Sequence, residues 1–185
     1  MSITRQYLEV FVISRLVQTF TLVLGILSAT AAGAVTIVGT AGVTGEDDPV
    51  VRLGVMREWQ SRWYETRIGS LTGYWDAGYT YWDSGKLYSA AHSLSVSPVL
   101  VYEFNTRHRV TPFIEVGVGI ALFSKTRVGE HRLGSAFNFE NRLGVGLKLP
   151  GDQRLGIRAL HYSNAGLKTP NDGIESYSLF YSKAF

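Results

Sequence analysis

From Val51 to the C-terminus, apolar and polar side chains alternate residue by residue in one segment after another. Val51, Leu53 and Val55 oppose Arg52, Gly54, Met56 and Glu58, and Leu94, Val96, Leu100, Tyr102 and Phe104 oppose Ser95, Ser97 and Glu103. Ile114, Val116, Val118, Ile120 and Leu122 oppose Phe113, Glu115, Gly117, Gly119 and Ala121. Phe137, Phe139, Leu143, Val145 and Leu147 oppose Asn138, Glu140, Arg142, Gly144 and Gly146. A period of two sends successive side chains to opposite faces of a strand, and no apolar stripe at helical spacing competes with it beyond the N-terminal segment.

One alternating strand cannot separate a soluble sandwich from a membrane barrel with a polar lumen. The ensemble can, because 185 residues hold one domain, the 20 glycines suit tight turns, and 10 Tyr, 9 Phe and 4 Trp suit aromatic girdles. The expected fold is all-β, an eight-stranded antiparallel transmembrane β-barrel of the outer-membrane type. Strands are expected to begin near residues 35, 49, 65, 92, 112, 135, 154 and 174. Arg52, Glu58, Asp76, Glu103, Glu115, Glu140, Arg142 and Arg158 fall on the lumen side, where opposite charges can pair and fill a barrel too narrow for a pore.

The N-terminus agrees with export. Arg5 and Arg15 precede an uncharged run from Leu16 to Gly45, and Ala29-Thr30-Ala31 and Ala32-Gly33-Ala34 offer two A-x-A cleavage options. Residues 1–34 therefore read as a signal peptide cleaved near 31 or 34, ahead of a barrel over 35–185, with a retained signal anchor as the rival reading. The absence of cysteine excludes disulfides and thiolate metal sites. A net charge of +3 with cations scattered singly gives no support for nucleic-acid binding.

The chemistry gathers in the last two strands. Leu155, Ile157, Ala159, His161 and Ser163 share one face, and the lipid is expected there; Glu175 shares the corresponding face with Tyr177, Leu179, Tyr181 and Phe185. A histidine and a serine facing hydrocarbon are out of character for structure alone, and a carboxylate beside them would be costly without an imidazole partner. With both termini in the periplasm and a short turn at Pro150-Gly151-Asp152, the loop over 164–174 is extracellular, so the three side chains sit at the outer-leaflet end of the barrel exterior. Nucleophile, base and orienting acid are then all present. A His-x-Ser pair is weak by itself, since residues two apart on a strand stand roughly 6.5 to 7 Å apart at Cα and must lean together.

The run from His161 to Glu175, HYSNAGLKTPNDGIE, continuing as SYSLFY, resembles the PagL family of lipid A 3-O-deacylases. The likeness extends through Leu71 to Trp82 (LTGYWDAGYTYW), Pro112 to Gly117 and Phe137 to Gly144, and is weaker in the first strand and over 83–91. It implies an outer-membrane carboxylic ester hydrolase that releases a 3-hydroxy fatty acid from lipid A or lipopolysaccharide, with no cofactor and no metal. By the same resemblance His161 is the general base, Ser163 the nucleophile and Glu175 the carboxylate that orients the imidazole. Backbone N–H groups around Asn164 and Gly166 are expected as oxyanion donors, Asn171 as a residue that shapes the loop, and Phe139 as a substrate contact beside the site. Leu155, Ile157, Ala159 and Phe139 would hold acyl chains, and Arg127 or Lys168 would meet lipid A phosphates. A phospholipase on the same barrel and a non-catalytic structural or adhesion barrel are the rival readings, and the sequence leaves homodimerisation open.

Overall fold

Residues with alternating chemistry form long strands that pair in sequence order until the sheet meets its own edge. The computed structural model describes residues 35–185 apart from 86 and 87; the expected signal peptide over 1–34 lies outside the described residues. The elements are β1 (Thr36–Thr44), β2 (Pro49–Glu58), β3 (Gly69–Trp82), β4 (Ala91–Phe104), β5 (Thr111–Phe123), β6 (Arg127–Val128), β7 (His131–Arg132), β8 (Phe137–Leu149), β9 (Gln153–Ser163) and β10 (Ile174–Ala184). Eight of them close an antiparallel barrel in the order β1-β10-β9-β8-β5-β4-β3-β2, and β6 with β7 forms a separate small hairpin. Thr36 pairs with Ala184 and Thr44 with Ser176, so both ends of the described chain lie at one end of the barrel, here the terminal end.

The expected strand starts agree with the observed ones to within a residue or two at every strand but the third. That strand begins at Gly69 rather than near 65 because the preceding segment folds back on it: the Trp59 N–H donates to the Gly73 carbonyl, and Trp63 and Leu71 exchange backbone hydrogen bonds at 2.7 and 2.8 Å.

The lumen is filled in layers. Away from the terminal end, Trp82, Phe123 and Tyr162 pack with ring centroids 5.4 to 5.6 Å apart. Below them lies an ionic band: Asp76 takes both Arg52 and Arg142, Arg142 also meets Glu140 at 2.8 Å, and Arg158 meets Glu115 at 2.6 Å. Glycine makes room for this band, since a Cβ on Gly78 would lie 2.2 Å from the Arg52 guanidinium carbon. Val38, Met56, Val99, Val101, Phe113 and Phe180 form an apolar plug beneath it. Of the charges expected in the lumen, Glu58 is the exception, half-exposed at the terminal rim, where Arg154 reaches it at 2.7 Å. Paired charges are tolerable here because each buried ion has an opposite partner.

The outside is the reverse. Leu53, Val118, Leu143, Ile157 and Leu179 are all more than half exposed, a continuous apolar surface that water would not support and hydrocarbon would.

Candidate active site

On β9 the alternation sends Tyr162 into the lumen and His161 and Ser163 to the exterior. The inward side chain fixes the strand, because the Tyr162 hydroxyl donates to Glu140 at 2.8 Å while Arg158, four residues back, holds Glu115. Register then assembles the exterior row. His161 pairs across the ladder with Glu175 on β10 and with Asn141 on β8, and Ser163 pairs with Phe139. His161 Nδ1 and Glu175 Oε1 are 2.7 Å apart, with the two side chains 42 and 39% exposed. This pair leaves the other imidazole nitrogen, Nε2, as the atom that could serve a hydroxyl. Ser163 stands on the same face two residues along, and among the described residues no hydrogen bond joins it to His161; a nucleophile–base bond tightens in the substrate complex.

The segment 164–173 is built to hold a shape. Asn164, Ala165, Gly166 and Leu167 make a turn in which Leu167 N–H donates to the Asn164 carbonyl at 3.0 Å, and Ala165 and Gly166 take φ of 53 and 78°. Asn164 is fully buried: its amide donates to the carbonyls of Leu133 at 2.8 Å and Lys168 at 2.7 Å. Its backbone N–H donates to Asn171 Oδ1 at 2.9 Å. Asn164 and Asn171 thus support each other, and the N–H expected at Asn164 as an oxyanion donor is already occupied. Gly173, at φ 71°, supplies the last constraint; a Cβ there would lie 3.0 Å from His161 Cε1.

The β6–β7 hairpin clasps this loop from the side. Arg132 N–H donates to Asp172 Oδ2 at 2.9 Å, Asp172 N–H returns the bond to the Arg132 carbonyl at 3.1 Å, and Gly134 packs against the Pro170 carbonyl. Asp172 is held below the usual carboxylate range, first by the Arg132 backbone N–H and then by its guanidinium. Val128 and Leu133 anchor the hairpin in the apolar cap of the lumen. Sequence reasoning missed this clasp, since two-residue strands carry no periodicity. Of the cations expected on the exterior, Arg127 is engaged by Tyr88, with its guanidinium carbon 4.5 Å from the ring centroid and a 3.0 Å bond to the hydroxyl.

Immediately on the terminal side of the Asn141–His161–Glu175 row, an open apolar groove of about 610 Å³ runs along the exterior. Its first row is Leu143, Ala159, Tyr177 and Val43, paired strand to strand, and its second is Val145, Ile157, Leu179 and Ala41. The small side chains at Ala159 and Ala41 give it depth. Leu155, expected to share this surface, lies beyond the groove lining.

The arrangement is a carboxylate, an imidazole and a hydroxyl on the outside of a barrel, with a hydrocarbon-lined trough leading up to them. Comparison with known proteins points the same way. A family model described as Lipid A 3-O-deacylase (PagL) matches residues 50–184. The chain is 55% identical over 151 residues to a lipid A deacylase PagL of Pseudomonas aeruginosa, covering 82% of this chain and 87% of that one. It is 36% identical over 110 residues to a lipid A deacylase PagL of Bordetella bronchiseptica, covering 60% of this chain and 61% of that one. The crystal structure of the outer membrane enzyme PagL superposes with a TM-score of 0.79 at 54% identity, covering 81% of this chain and 99% of that one.

Proposed function

The chain belongs to the PagL family of lipid A 3-O-deacylases, and from that premise we propose that it cleaves an acyl ester of lipid A on the barrel exterior, with Ser163 as nucleophile, His161 as general base and Glu175 as its orienting carboxylate. The protein is an outer-membrane β-barrel hydrolase acting on an acyl ester. The observation that carries the residue assignment is the 2.7 Å His161–Glu175 pair on a lipid-facing surface, with Ser163 beside it. An unpaired carboxylate or imidazole there would be expensive to keep, and the pair has no structural task that an apolar residue would not perform better.

His161 Nε2 takes the Ser163 proton as the hydroxyl oxygen attacks the ester carbon, and the resulting imidazolium is stabilised by Glu175. The tetrahedral oxyanion is met by the backbone N–H groups of Ala165 and Gly166, which have no hydrogen-bond partner among the described residues, while Asn164 and Asn171 fix that turn. Each preorganised donor contributes about 3 kcal/mol to the transition state. The bond from the acyl carbon to the sugar oxygen breaks as His161 passes the proton to that oxygen, which leaves as the sugar hydroxyl, and water, deprotonated by the same base, then releases the 3-hydroxy fatty acid from Ser163. The groove below the row accepts the acyl chain; Phe139, opposite Ser163 on the exterior, lies beyond the groove lining and is proposed only as a contact beside the nucleophile.

Both termini of the described barrel share one end, which supports a site at the outer leaflet with that shared end in the periplasm. Residues 1–34 have the composition of the leader that would deliver the chain there. The test is mass spectrometry of lipid A from cells expressing the wild type and Ser163→Ala. Loss of one 3-hydroxyacyl group with the wild type alone is expected; the same loss with the variant would sink the Ser163 mechanism.

A further inference from the structure

Asn141 interrupts the otherwise apolar outward face of β8. On β8 it lies between Phe139 and Leu143 on the outward face, exposed, and its carboxamide has no hydrogen-bond partner among the described residues. A bare amide on a surface turned toward lipid is unfavourable unless a ligand satisfies it. Its place is informative. Asn141 is the direct ladder partner of His161 and stands in one row with His161 and Glu175, on the side of the imidazole away from the carboxylate. The groove opens directly beneath it at Leu143 and Ala159. An acyl chain seated in that groove therefore presents its polar head end to the Asn141–His161 row.

Resting on the deacylase reading, we propose that Asn141 is a specificity-determining residue that hydrogen-bonds the amide linking the neighbouring acyl chain to the sugar, so that the preferred substrate is a 3-O-acyl ester flanked by a 2-N-acyl amide. The chemistry fits in distance and polarity. Directly opposed side chains in an antiparallel ladder start about 5 Å apart at Cβ, comparable to the separation of acyl groups on adjacent ring carbons. A carboxamide can accept from the amide N–H through Oδ1 and donate to its carbonyl through Nδ2. A substrate with an ester at that neighbouring position, as in a diacylglycerol phospholipid, offers no N–H and leaves Oδ1 unpaired.

The experiment uses two synthetic monosaccharides with identical acyl chains, a 2-acylamido-3-O-acyl glucosamine phosphate and its 2,3-di-O-acyl glucose phosphate counterpart. Both are assayed in detergent micelles with the full-length protein, whose folding is checked by heat-modifiable gel mobility. Wild type is expected to favour the amide substrate in kcat/KM by about tenfold, the size expected of one partly shielded hydrogen bond. Asn141→Leu should bring that ratio close to one, while Asn141→Asp, which keeps the acceptor, should retain most of it. No preference in the wild type, or a loss in Asn141→Leu that is equal for both substrates, overturns the inference and leaves the deacylase reading intact. Failure of the wild type to cleave the 3-ester of either compound overturns the deacylase reading, and this inference with it.

Discussion

The Tyr162 hydroxyl donates a 2.8 Å hydrogen bond to Glu140 inside the barrel, and the residues on either side of Tyr162 are His161 and Ser163 on the outside. The strand that presents the reacting side chains to lipid is thus pinned from behind by a buried polar bond. Tyr162→Phe removes the donor and leaves a fully buried carboxylate with Ser97 and Arg142 as its remaining partners. A cost of about 1 to 3 kcal/mol is expected for a buried acceptor losing a bond. Denaturant unfolding in detergent, read by gel mobility, checks it, and unchanged stability would show that the pin is not needed.

Glu175→Gln tests the other side of the imidazole. The amide can still contact Nδ1 but cannot stabilise the imidazolium and favours the wrong tautomer, so turnover should fall by up to roughly 10⁴-fold. The single losses should not add: Ser163→Ala combined with His161→Ala is expected to be little worse than either alone, because the residues act as one unit. Deacylation rates on purified lipid A measure both, and a multiplicative double variant would argue against a shared mechanism.

Most of the barrel was legible from alternation because a closed sheet repeats one local rule on every strand, and the register of a strand with one buried face is set by that rule. The same rule placed His161, Ser163 and Glu175 outside before any geometry was known. What alternation could not convey depends on contacts far apart in sequence. The fold-back of Trp59 and Trp63 on β3, the reach of Arg154 to Glu58 and Glu103, and the clasp of Arg132 on Asp172 join residues that no local pattern links. Asn141 did leave a trace, as the one polar residue on the apolar face between Phe137 and Leu147. The turn itself was legible only in part: a motif shows that Asn164 stands in it but not that the Asn164 N–H donates to Asn171 Oδ1.

Gly173 packs close against the imidazole. With φ at 71° and a hypothetical Cβ 3.0 Å from His161 Cε1, Gly173→Ala both strains the backbone and pushes the ring off its pair with Glu175. Turnover should drop by tenfold or more, because small displacements of a positioned base are costly, while the barrel stays folded. Full activity in that variant would show that the loop can yield at no cost to the ring.

The last expectation concerns pH and the clasp. Asp172 has its folded-state pKa depressed by the Arg132 N–H and guanidinium, so the clasp contributes order to the loop at pH values above the unfolded carboxylate pKa and loses that contribution as pH falls through the lower folded value. Protonation costs Asp172 its charge-assisted bonds where the β6–β7 hairpin holds segment 164–173 by both side chain and backbone. Hydrogen exchange or protease cleavage within 164–173 should therefore increase on acidification in the wild type. Asp172→Asn keeps the shape but has no charge to lose, so its loop should be looser near neutral pH and less sensitive to acid. Equal acid sensitivity in both proteins would place the titrating group elsewhere and leave Asp172 a steric contact only.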